Sequence, residues 1–182
     1  MKCCIPNKYE IYNDICFLYI TKLDKTVIVA IINTKDYKRV KLIHWNCSSK
    51  GYIRSAKNIY LHRFILNAPA NLEVDHKNNK PLDNRRKNIR LCTVSQNRKS
   101  QLKNKNNISG YKGVSFYPRY HKCWRVVIYT NGKQSNLGYF NNKIEAAKAY
   151  NQAAKKYHGE FAKLNRTPLS KGVKDDIKKI HD

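Results

Sequence analysis

The sequence LEVDH at residues 72–76 opens the segment that decides the fold of the central part of the chain. Asp75 and His76 end a short apolar piece. Asn88 follows twelve positions after the histidine, and Asn97 follows nine positions later. A carboxylate, an imidazole and two amides at these spacings form a compact set of metal ligands and bases. The segment therefore indicates metal-dependent chemistry.

The flanking residues predict a strand–loop–strand–helix unit. Two short apolar pieces, residues 72–74 and Ile89–Cys92, bracket a loop rich in Asn, Lys, Pro and Asp, which is typical of a hairpin with a long connection. Residues 93–96 (TVSQ) have the pattern of a helix start. The Asp-His pair then lies at the end of the first strand, and Asn97 lies in the first turn of the helix.

This arrangement suits a single hard divalent cation, Mg²⁺ or Mn²⁺. Asp75 offers a charged oxygen and Asn97 a neutral one, which leaves most of the coordination sphere to phosphate oxygens and water. His76 is the candidate general base near neutral pH, and Asn88 is expected to orient its ring by a hydrogen bond. Taken singly, each residue is more often a plain turn or helix-start residue, so the prediction depends on all four sharing one unit.

The charge of the chain points to a polyanionic partner. There are 37 Lys and Arg residues against 12 Asp and Glu, which gives a net charge of +25. Residues 1–60 carry 11 basic and 4 acidic residues, residues 61–107 carry 11 and 3, and residues 108–167 carry 11 and 2. Because the excess is spread along the chain, we expect a long footprint on double-stranded DNA. A basic protein that is merely soluble or bound to ribosomes is the alternative.

The composition is that of a folded protein, with 41% hydrophobic residues and 13 tyrosines. No apolar run approaches the roughly 20 residues that span a bilayer, and the N-terminus lacks the apolar core of a signal peptide. We therefore expect no membrane partner and an intracellular location, in the cytoplasm of the host or in a nucleus. The six cysteines form no C-x-x-C pair, so reduced thiols are expected in place of a zinc ribbon. No small-molecule cofactor is expected.

The fold class that we predict is α+β, with a β-rich N-terminal part at residues 1–60. Residues 58–66 are compatible with a strand, but the non-alternating run at 59–66 also fits a helix, and both interpretations stay open. This part is either a platform for the catalytic hairpin or an additional DNA contact. The other N-terminal strands are predicted at residues 15–21, 26–33, 40–45 and 52–55.

A basic linker at residues 101–109 leads to a second unit at residues 110–166, and a tail of no assigned function follows at 167–182. The second unit is predicted as a three-stranded antiparallel sheet packed on one helix. An Asn-Gly pair between two of the strands is a strong hairpin signal. The helix is expected to begin after Asn142 and to stop at Gly159. The three strands are predicted at residues 113–117, Trp124–Thr130 and 134–139.

The central module, residues 61–100, resembles the HNH endonuclease family, most of all the homing type with a ββα-metal fold. The resemblance implies that His76 is the general base, that Asp75 and Asn97 bind one divalent ion, and that Asn88 supports the loop and the base. Arg85 and Arg90 are candidate DNA contacts, and His62 is interpreted as a core or supporting residue. The resemblance rests on Leu61-His62-Arg63, Val74-Asp75-His76, Leu82-Asp83-Asn84-Arg85, Asn88-Ile89-Arg90 and Gln96-Asn97.

Residues 109–165 resemble the plant ethylene-response-factor (Apetala-two) DNA-binding domain, which implies a sheet that lies in the major groove. Lys112 and Arg119 fall at positive contact positions, Arg125 and Lys133 are candidates for phosphate contacts, and Trp124 is interpreted as core. Ser115, Tyr117, Tyr129, Gln134 and Asn136 stand where the plant proteins usually carry Arg or Trp, so the target cannot be copied from them. The motifs are Tyr111-Lys112-Gly113-Val114, Lys122-Cys123-Trp124, Leu137-Gly138-Tyr139-Phe140, Glu145-Ala146-Ala147-Lys148-Ala149-Tyr150 and Ala162-Lys163-Leu164-Asn165.

The sequence thus predicts a metal-dependent DNA endonuclease of the homing or mobile-element type. One centre per chain predicts a nick per binding event, while a double-strand break needs a dimer or sequential cuts. We expect a monomer, with a dimer as the alternative. The competing hypothesis is a non-catalytic transcription regulator with a decayed nuclease module. An RNA-binding protein is disfavoured because the sheet lacks the aromatic pattern of common single-strand RNA readers.

Overall fold

The computed structural model describes residues 6–118 and 124–168. The chain divides into two compact units, Met1–Asn97 and Arg98–Asp182. The predicted mixed α+β class is confirmed, because the described residues form several small antiparallel sheets and four α-helices. No helix in the described ranges is long and apolar enough to cross a membrane.

The first unit begins with an antiparallel sheet in the order β1-β2-β3, made of β1 (Lys8–Tyr12), β2 (Ile15–Thr21) and β3 (Val27–Asn33). Alternate residues of β2 are buried, which is the pattern of a strand with one face on a core. The strands predicted at residues 15–21 and 26–33 are therefore confirmed.

The strand predicted at residues 40–45 is wrong. Helix α1 (Tyr37–Val40) ends there, and β4 (Trp45–Cys47) begins at the tryptophan and pairs with β5 (Ile53–Ser55). The fully buried indole of Trp45 donates its Nε1–H to the carbonyl of Val40 at 2.8 Å. Because this bond joins the helix end to the strand start, the intervening residues turn back and do not extend.

Residues 58–66 take the helical alternative. Helix α2 (Leu61–Leu66) buries Leu61 and Ile65, which lie one turn apart on the face toward the core. It ends at Asn67, whose φ of 49° is the left-handed conformation that closes many helices.

The predicted strand–loop–strand–helix unit is present. β6 (Glu73–His76) pairs antiparallel with β7 (Ile89–Cys92), and α3 (Val94–Ser100) follows. The helix start is a reciprocal capping box: the Thr93 N–H donates to Gln96 Oε1 at 2.8 Å, and the Gln96 N–H donates to Thr93 Oγ1 at 3.2 Å. The capping pattern therefore predicted the helix start correctly.

One hydrophobic core joins the N-terminal strands to this module, since Leu18, Trp45 and Leu61 pack in the same cluster as Val74 and Ile89. The residues that the sequence suggested as a separate N-terminal part therefore fold together with the hairpin as one unit.

The long loop of the hairpin is fixed to the N-terminal sheet. The N–H of Ile31 in β3 donates to the Leu82 carbonyl at 2.8 Å, and the N–H of Asn84 donates back to the Ile31 carbonyl at 2.7 Å. Arg86 forms a bidentate ion pair with the buried Asp36, with its closest N···O distance 2.7 Å. These contacts favour the platform role for the N-terminal strands.

The second unit contains the sheet order β10-β9-β8, formed by β8 (Val114–Phe116), β9 (Trp124–Thr130) and β10 (Lys133–Phe140). Helix α4 (Lys143–His158) packs on one face of this sheet, with alanines on its buried side. Asn142 Oδ1 accepts the N–H of Ile144 at 2.7 Å, which is the predicted N-terminal cap. The helix ends at Gly159 as predicted. Arg119, Cys123 and residues 169–182 of the tail lie outside the described residues.

Gly113 precedes β8 at a point of very close packing. Its φ is +75°, and a Cβ built there would lie 2.1 Å from the ring of Tyr150 and 2.8 Å from the carbonyl oxygen of Val127. The Val127 N–H in turn donates to the Gly113 carbonyl at 2.9 Å. Only a residue without a side chain fits between the helix and the sheet at this position.

Candidate active site

His76 is the last residue of β6 and is buried, with 6% of its surface exposed. Its Nε2 lies 3.2 Å from Asn84 Oδ1, and the Asn84 Nδ2 donates to the Pro81 carbonyl at 3.1 Å. Because this amide oxygen only accepts, the contact assigns the imidazole proton to Nε2 and leaves Nδ1 as the basic nitrogen. Burial lowers the pKa of His76 below its ordinary value, against the opposing effects of Asn84, Asp75 and Asp83. The ring is therefore neutral at neutral pH and ready to accept a proton.

The amide that contacts His76 is that of Asn84, which corrects the predicted contact from Asn88. The side chain of Asn88 instead holds the loop: Oδ1 accepts the Asn78 N–H at 3.1 Å, and Nδ2 donates to the Asp83 carbonyl at 2.7 Å. Asn84 lies in the motif Leu82-Asp83-Asn84-Arg85, but its composition resembles an ordinary turn. The signal that was missed is the pairing of this turn with β3, which buries the Asn84 side chain.

Asp75 pairs with Arg90, the residue opposite it in the hairpin. The guanidinium donates from Nε at 2.9 Å and from Nη2 at 2.8 Å to Asp75 Oδ2, and both side chains are largely buried. Arg85 makes a similar pair with Asp83, at 2.7 Å to each carboxylate oxygen. The geometry thus gives both arginines, which were predicted as DNA contacts, carboxylate partners within their own unit.

Glu73 connects Asn97 to the same side of the hairpin as Asp75. Residues two apart on a strand share a face, so Glu73 and Asp75 point to one side of β6. The Asn97 Nδ2 donates to Glu73 Oε2 at 2.6 Å, which fixes the orientation of the amide. The sequence had not singled out Glu73, although its two-residue spacing from Asp75 placed it on this face.

The donor set that Asp75 and Asn97 offer is of the chemical type that a hard divalent cation binds, and Arg90 pairs with its carboxylate at Asp75 Oδ2. The set consists of one carboxylate and one amide whose nitrogen is already engaged by Glu73, so that its oxygen is the atom suited to a metal. No three His, Cys, Asp or Glu side chains are grouped to hold an ion within residues 6–118 and 124–168. A cation held by these two side chains would need its remaining ligands from water and substrate oxygens, as Mg²⁺ commonly does.

Aromatic side chains enclose the ring of His76. His62 meets it edge-on at a centroid distance of 5.2 Å, Tyr52 lies at 6.0 Å, and Tyr60 stacks on His62 at 5.5 Å. Burial, with smaller contributions from His76 and Arg63, lowers the pKa of His62 to about 3. The predicted supporting role of His62 thus has a specific form, a neutral ring packed against the candidate base.

The low pKa of His62 predicts a loss of stability in acid. The unfolded chain takes up a proton at the ordinary pKa of 6.5, whereas folded His62 does not until about pH 3, so the free energy of unfolding falls as the pH drops through this window. Between pH 6.5 and pH 4.5, His62 is expected to lower the free energy of unfolding by about 2 kcal/mol. Urea unfolding at these two pH values measures the change. His62→Phe is expected to reduce this pH dependence, of which a part remains because burial also lowers the pKa of His76. His44→Ala, at an exposed histidine, is expected to retain the full dependence. Equal slopes in all three proteins would contradict the assignment.

The residues predicted to contact DNA in the second unit have different environments. Lys112 points inward, where its Nζ donates to the carbonyls of Lys99 and Gln101, and burial lowers its pKa to about 8. The geometry therefore gives no support to a DNA contact at Lys112. Lys133 is exposed on β10, and Arg125 is half-buried on β9. Trp124 packs against the sheet–helix core, as predicted.

Comparison with known proteins finds one family to which the central segment is similar. Residues 67–99 match the family model described as HNH endonuclease. An uncharacterized HNH endonuclease of Acanthamoeba polyphaga mimivirus is 28% identical over 145 residues, covering 75% of this chain and 74% of that protein. Protein 3.8 of Escherichia phage T7 is 28% identical over 96 residues, covering 53% of this chain and 78% of that protein. The resemblance of the central module to this family is confirmed.

A second set of relatives carries the other resemblance. APETALA2-like protein 2 of Oryza sativa subsp. indica is 40% identical over 74 residues, which is 41% of this chain but 16% of that protein. An AP2-like ethylene-responsive transcription factor of Arabidopsis thaliana is 40% identical over 68 residues. The resemblance of the C-terminal part to this DNA-binding class is likewise confirmed. No solved structure matches the chain.

Proposed function

We propose that this protein is a metal-dependent DNA endonuclease of the homing or mobile-element type. The observation that carries the proposal is the neutral, buried His76, whose Nε2 is engaged by Asn84 and whose strand also presents Asp75. Its support is the match of residues 67–99 to the HNH endonuclease family. The partner is double-stranded DNA, and the site of action is inside a cell, where such DNA is found.

His76 acts as the general base in this proposal. Its Nδ1 takes a proton from the water that attacks the scissile phosphate, while Asn84 holds the ring through Nε2. The resulting imidazolium is stabilised by the carboxylates of Asp75 and Asp83, which favour the charged form of the ring. A divalent ion held by Asp75 and Asn97 would supply positive charge for the phosphate and the leaving 3′-oxygen. Asn88 keeps the loop that carries Asn84 in place.

The C-terminal unit binds the duplex and holds the target near the nuclease centre. Its support is the excess of 11 basic over 2 acidic residues in 108–167 and the similarity to the APETALA2-like proteins. With one centre per chain, a monomer nicks one strand, and a linear product requires a second cut.

Incubation of the purified full chain with supercoiled plasmid tests the function. We expect open-circle DNA with Mg²⁺ or Mn²⁺ and none with EDTA. Shifted but uncut DNA with every metal, on a plasmid library that covers all short target sequences, would favour the alternative of a DNA-binding regulator with a decayed nuclease. Competition by single-stranded RNA better than by duplex DNA would contradict the proposal.

The contact between Glu73 and Asn97 predicts a change in metal affinity. Glu73→Gln loses the charged acceptor that fixes the amide, and changes of this kind lower metal affinity by about tenfold or more. Titration with Mn²⁺ followed by electron paramagnetic resonance measures the affinity without requiring cleavage. Glu10→Gln, at an exposed glutamate of β1, is the matched control and should bind as the wild type does. An unchanged affinity in Glu73→Gln would remove Glu73 from the site.

A further inference from the structure

The face of the C-terminal sheet that points away from α4, here called the outer face, is polar and aromatic. Val126 and Ile128 of β9 are buried against the helix, so the alternate residues of this strand point outward. The register of the sheet then identifies the neighbours on the other strands. The outer face consists of Ser115, Arg125, Val127, Tyr129, Gln134, Asn136 and Tyr139.

Two exposed amides on this face have defined orientations. Gln134 Oε1 accepts the hydroxyl of Tyr129, the residue opposite it in the hairpin, at 3.1 Å. Asn136 Oδ1 accepts the N–H of Gly138 at 3.2 Å, across the irregularity in β10. Each amide oxygen can accept a second hydrogen bond through its other lone pair, and the NH₂ group of each amide can donate.

Adenine is the base that such an amide recognises in the major groove. Its N7 accepts from the NH₂ group, and its N6–H donates to the amide oxygen, which gives two hydrogen bonds in one plane. Guanine presents two acceptors at the same edge, so the amide oxygen would face another oxygen. The two side chains therefore distinguish adenine from guanine by chemistry, whereas the Arg typical of guanine readers is not at either position.

The spacing of the two amides sets the spacing of their targets. Residues two apart on a strand are separated by about 7 Å, and successive bases of one DNA strand by about 3.4 Å. A strand that follows the groove therefore places Gln134 and Asn136 about two base pairs apart.

Arg125 supports duplex DNA as the occupant of the outer face. Its guanidinium carbon lies 5.8 Å from the ring centroid of Tyr117, and its buried Nε–H has no acceptor among the described residues. The positive charge of this half-buried guanidinium on the outer face suits a phosphate, in agreement with the excess of positive charge in this part of the sequence.

We propose that Gln134 and Asn136 are the specificity-determining residues of this protein, and that each reads one adenine in the major groove of a duplex target. The inference rests on the proposed DNA-binding function of the C-terminal unit and deepens it by naming the bases. It predicts a target with two required A·T pairs about two base pairs apart.

Selection from a randomised duplex library in EDTA, followed by sequencing, tests this with the full chain. Wild type is expected to enrich adenine at two positions, and Gln134→Leu to lose the preference at one of them while keeping the other. On the selected duplex, Gln134→Leu is expected to bind about tenfold more weakly. Ser135→Ala, on the opposite side of β10, is the matched control and should select the wild-type sequence.

The outcomes separate this inference from the proposed function. Enrichment without adenine, or an adenine preference that survives in both Gln134→Leu and Asn136→Ala, would overturn the inference while the nuclease proposal stands. Adenine enrichment by a protein that never nicks plasmid would support the inference and overturn the nuclease. A folded protein that binds no duplex from the library would contradict both the adenine inference and the proposed DNA endonuclease function.

Discussion

Replacement of His76 by alanine is expected to lower the rate of plasmid nicking by about 10² to 10⁴-fold, which is the contribution of a positioned general base. His76 is the residue whose neutral ring, engaged at Nε2 and basic at Nδ1, is placed at the end of β6. Without the imidazole, the attacking water must lose its proton to bulk solvent. The measurement is the initial rate of open-circle formation under saturating Mg²⁺.

His44→Ala is the matched control, because His44 is an exposed histidine in the same unit. It should nick at the wild-type rate. Affinity for duplex DNA in EDTA should be the same in wild type and in both variants, since the base takes no part in holding the duplex. A His76→Ala protein that is folded, binds DNA and still nicks at more than about a tenth of the wild-type rate is outside the range of a lost general base.

Gly113→Ala is expected to destabilise the C-terminal unit by about 3 kcal/mol. The new methyl group would overlap the ring of Tyr150, which lies between α4 and the sheet, and such overpacking costs about 1 to 3 kcal/mol. The positive φ of Gly113 adds about 1 kcal/mol for any residue with a side chain. Urea unfolding monitored by circular dichroism measures the change in the free energy of unfolding.

Gly132→Ala separates the two contributions. Gly132 has nearly the same φ, +76°, but a Cβ there meets nothing within 4 Å. The free energy of unfolding of this variant should fall by only about 1 kcal/mol, which is the cost of a positive φ for a residue with a side chain. An equal loss of unfolding free energy in the two glycine variants would show that overlap with Tyr150 does not cause the destabilisation of Gly113→Ala.

Local signals in the sequence predicted the elements whose structure depends on local contacts. The Thr93–Gln96 capping box, the Asn-Gly hairpin turn and the cap at Asn142 all form as expected because their partners are within a few residues. The failure at residues 40–45 depends on distant residues as well, since the indole that bonds to the Val40 carbonyl is held in place by burial in a core that includes Leu18 and Leu61. Such burial overrides a local strand preference.

The sequence indicated the hairpin and helix that carry the candidate residues, but not which side chains pair with one another. Which amide reaches His76 depends on how the loop pairs with β3, and that pairing joins residues about fifty positions apart. Arg90 was predicted as a DNA contact, and its pairing with Asp75 could not be anticipated because it depends on the register of the hairpin. The roles of Asp75, Asn88 and Asn97 in catalysis stay predictions, supported by their places around the same hairpin.

The contact of the hairpin loop with Ile31, together with the Asp36–Arg86 pair, limits how this gene can be recombined. A fragment cut at residue 61 would leave the Asn84 turn without the strand that orders it and Arg86 without its counterion. The exchangeable cassette is therefore expected to run from the N-terminal sheet to the end of α3 at Ser100, although the recognisable motif spans only 67–99. Chimaeras that join a foreign DNA-binding domain after Ser100 should keep the proposed nuclease activity, whereas grafts of the motif alone should not.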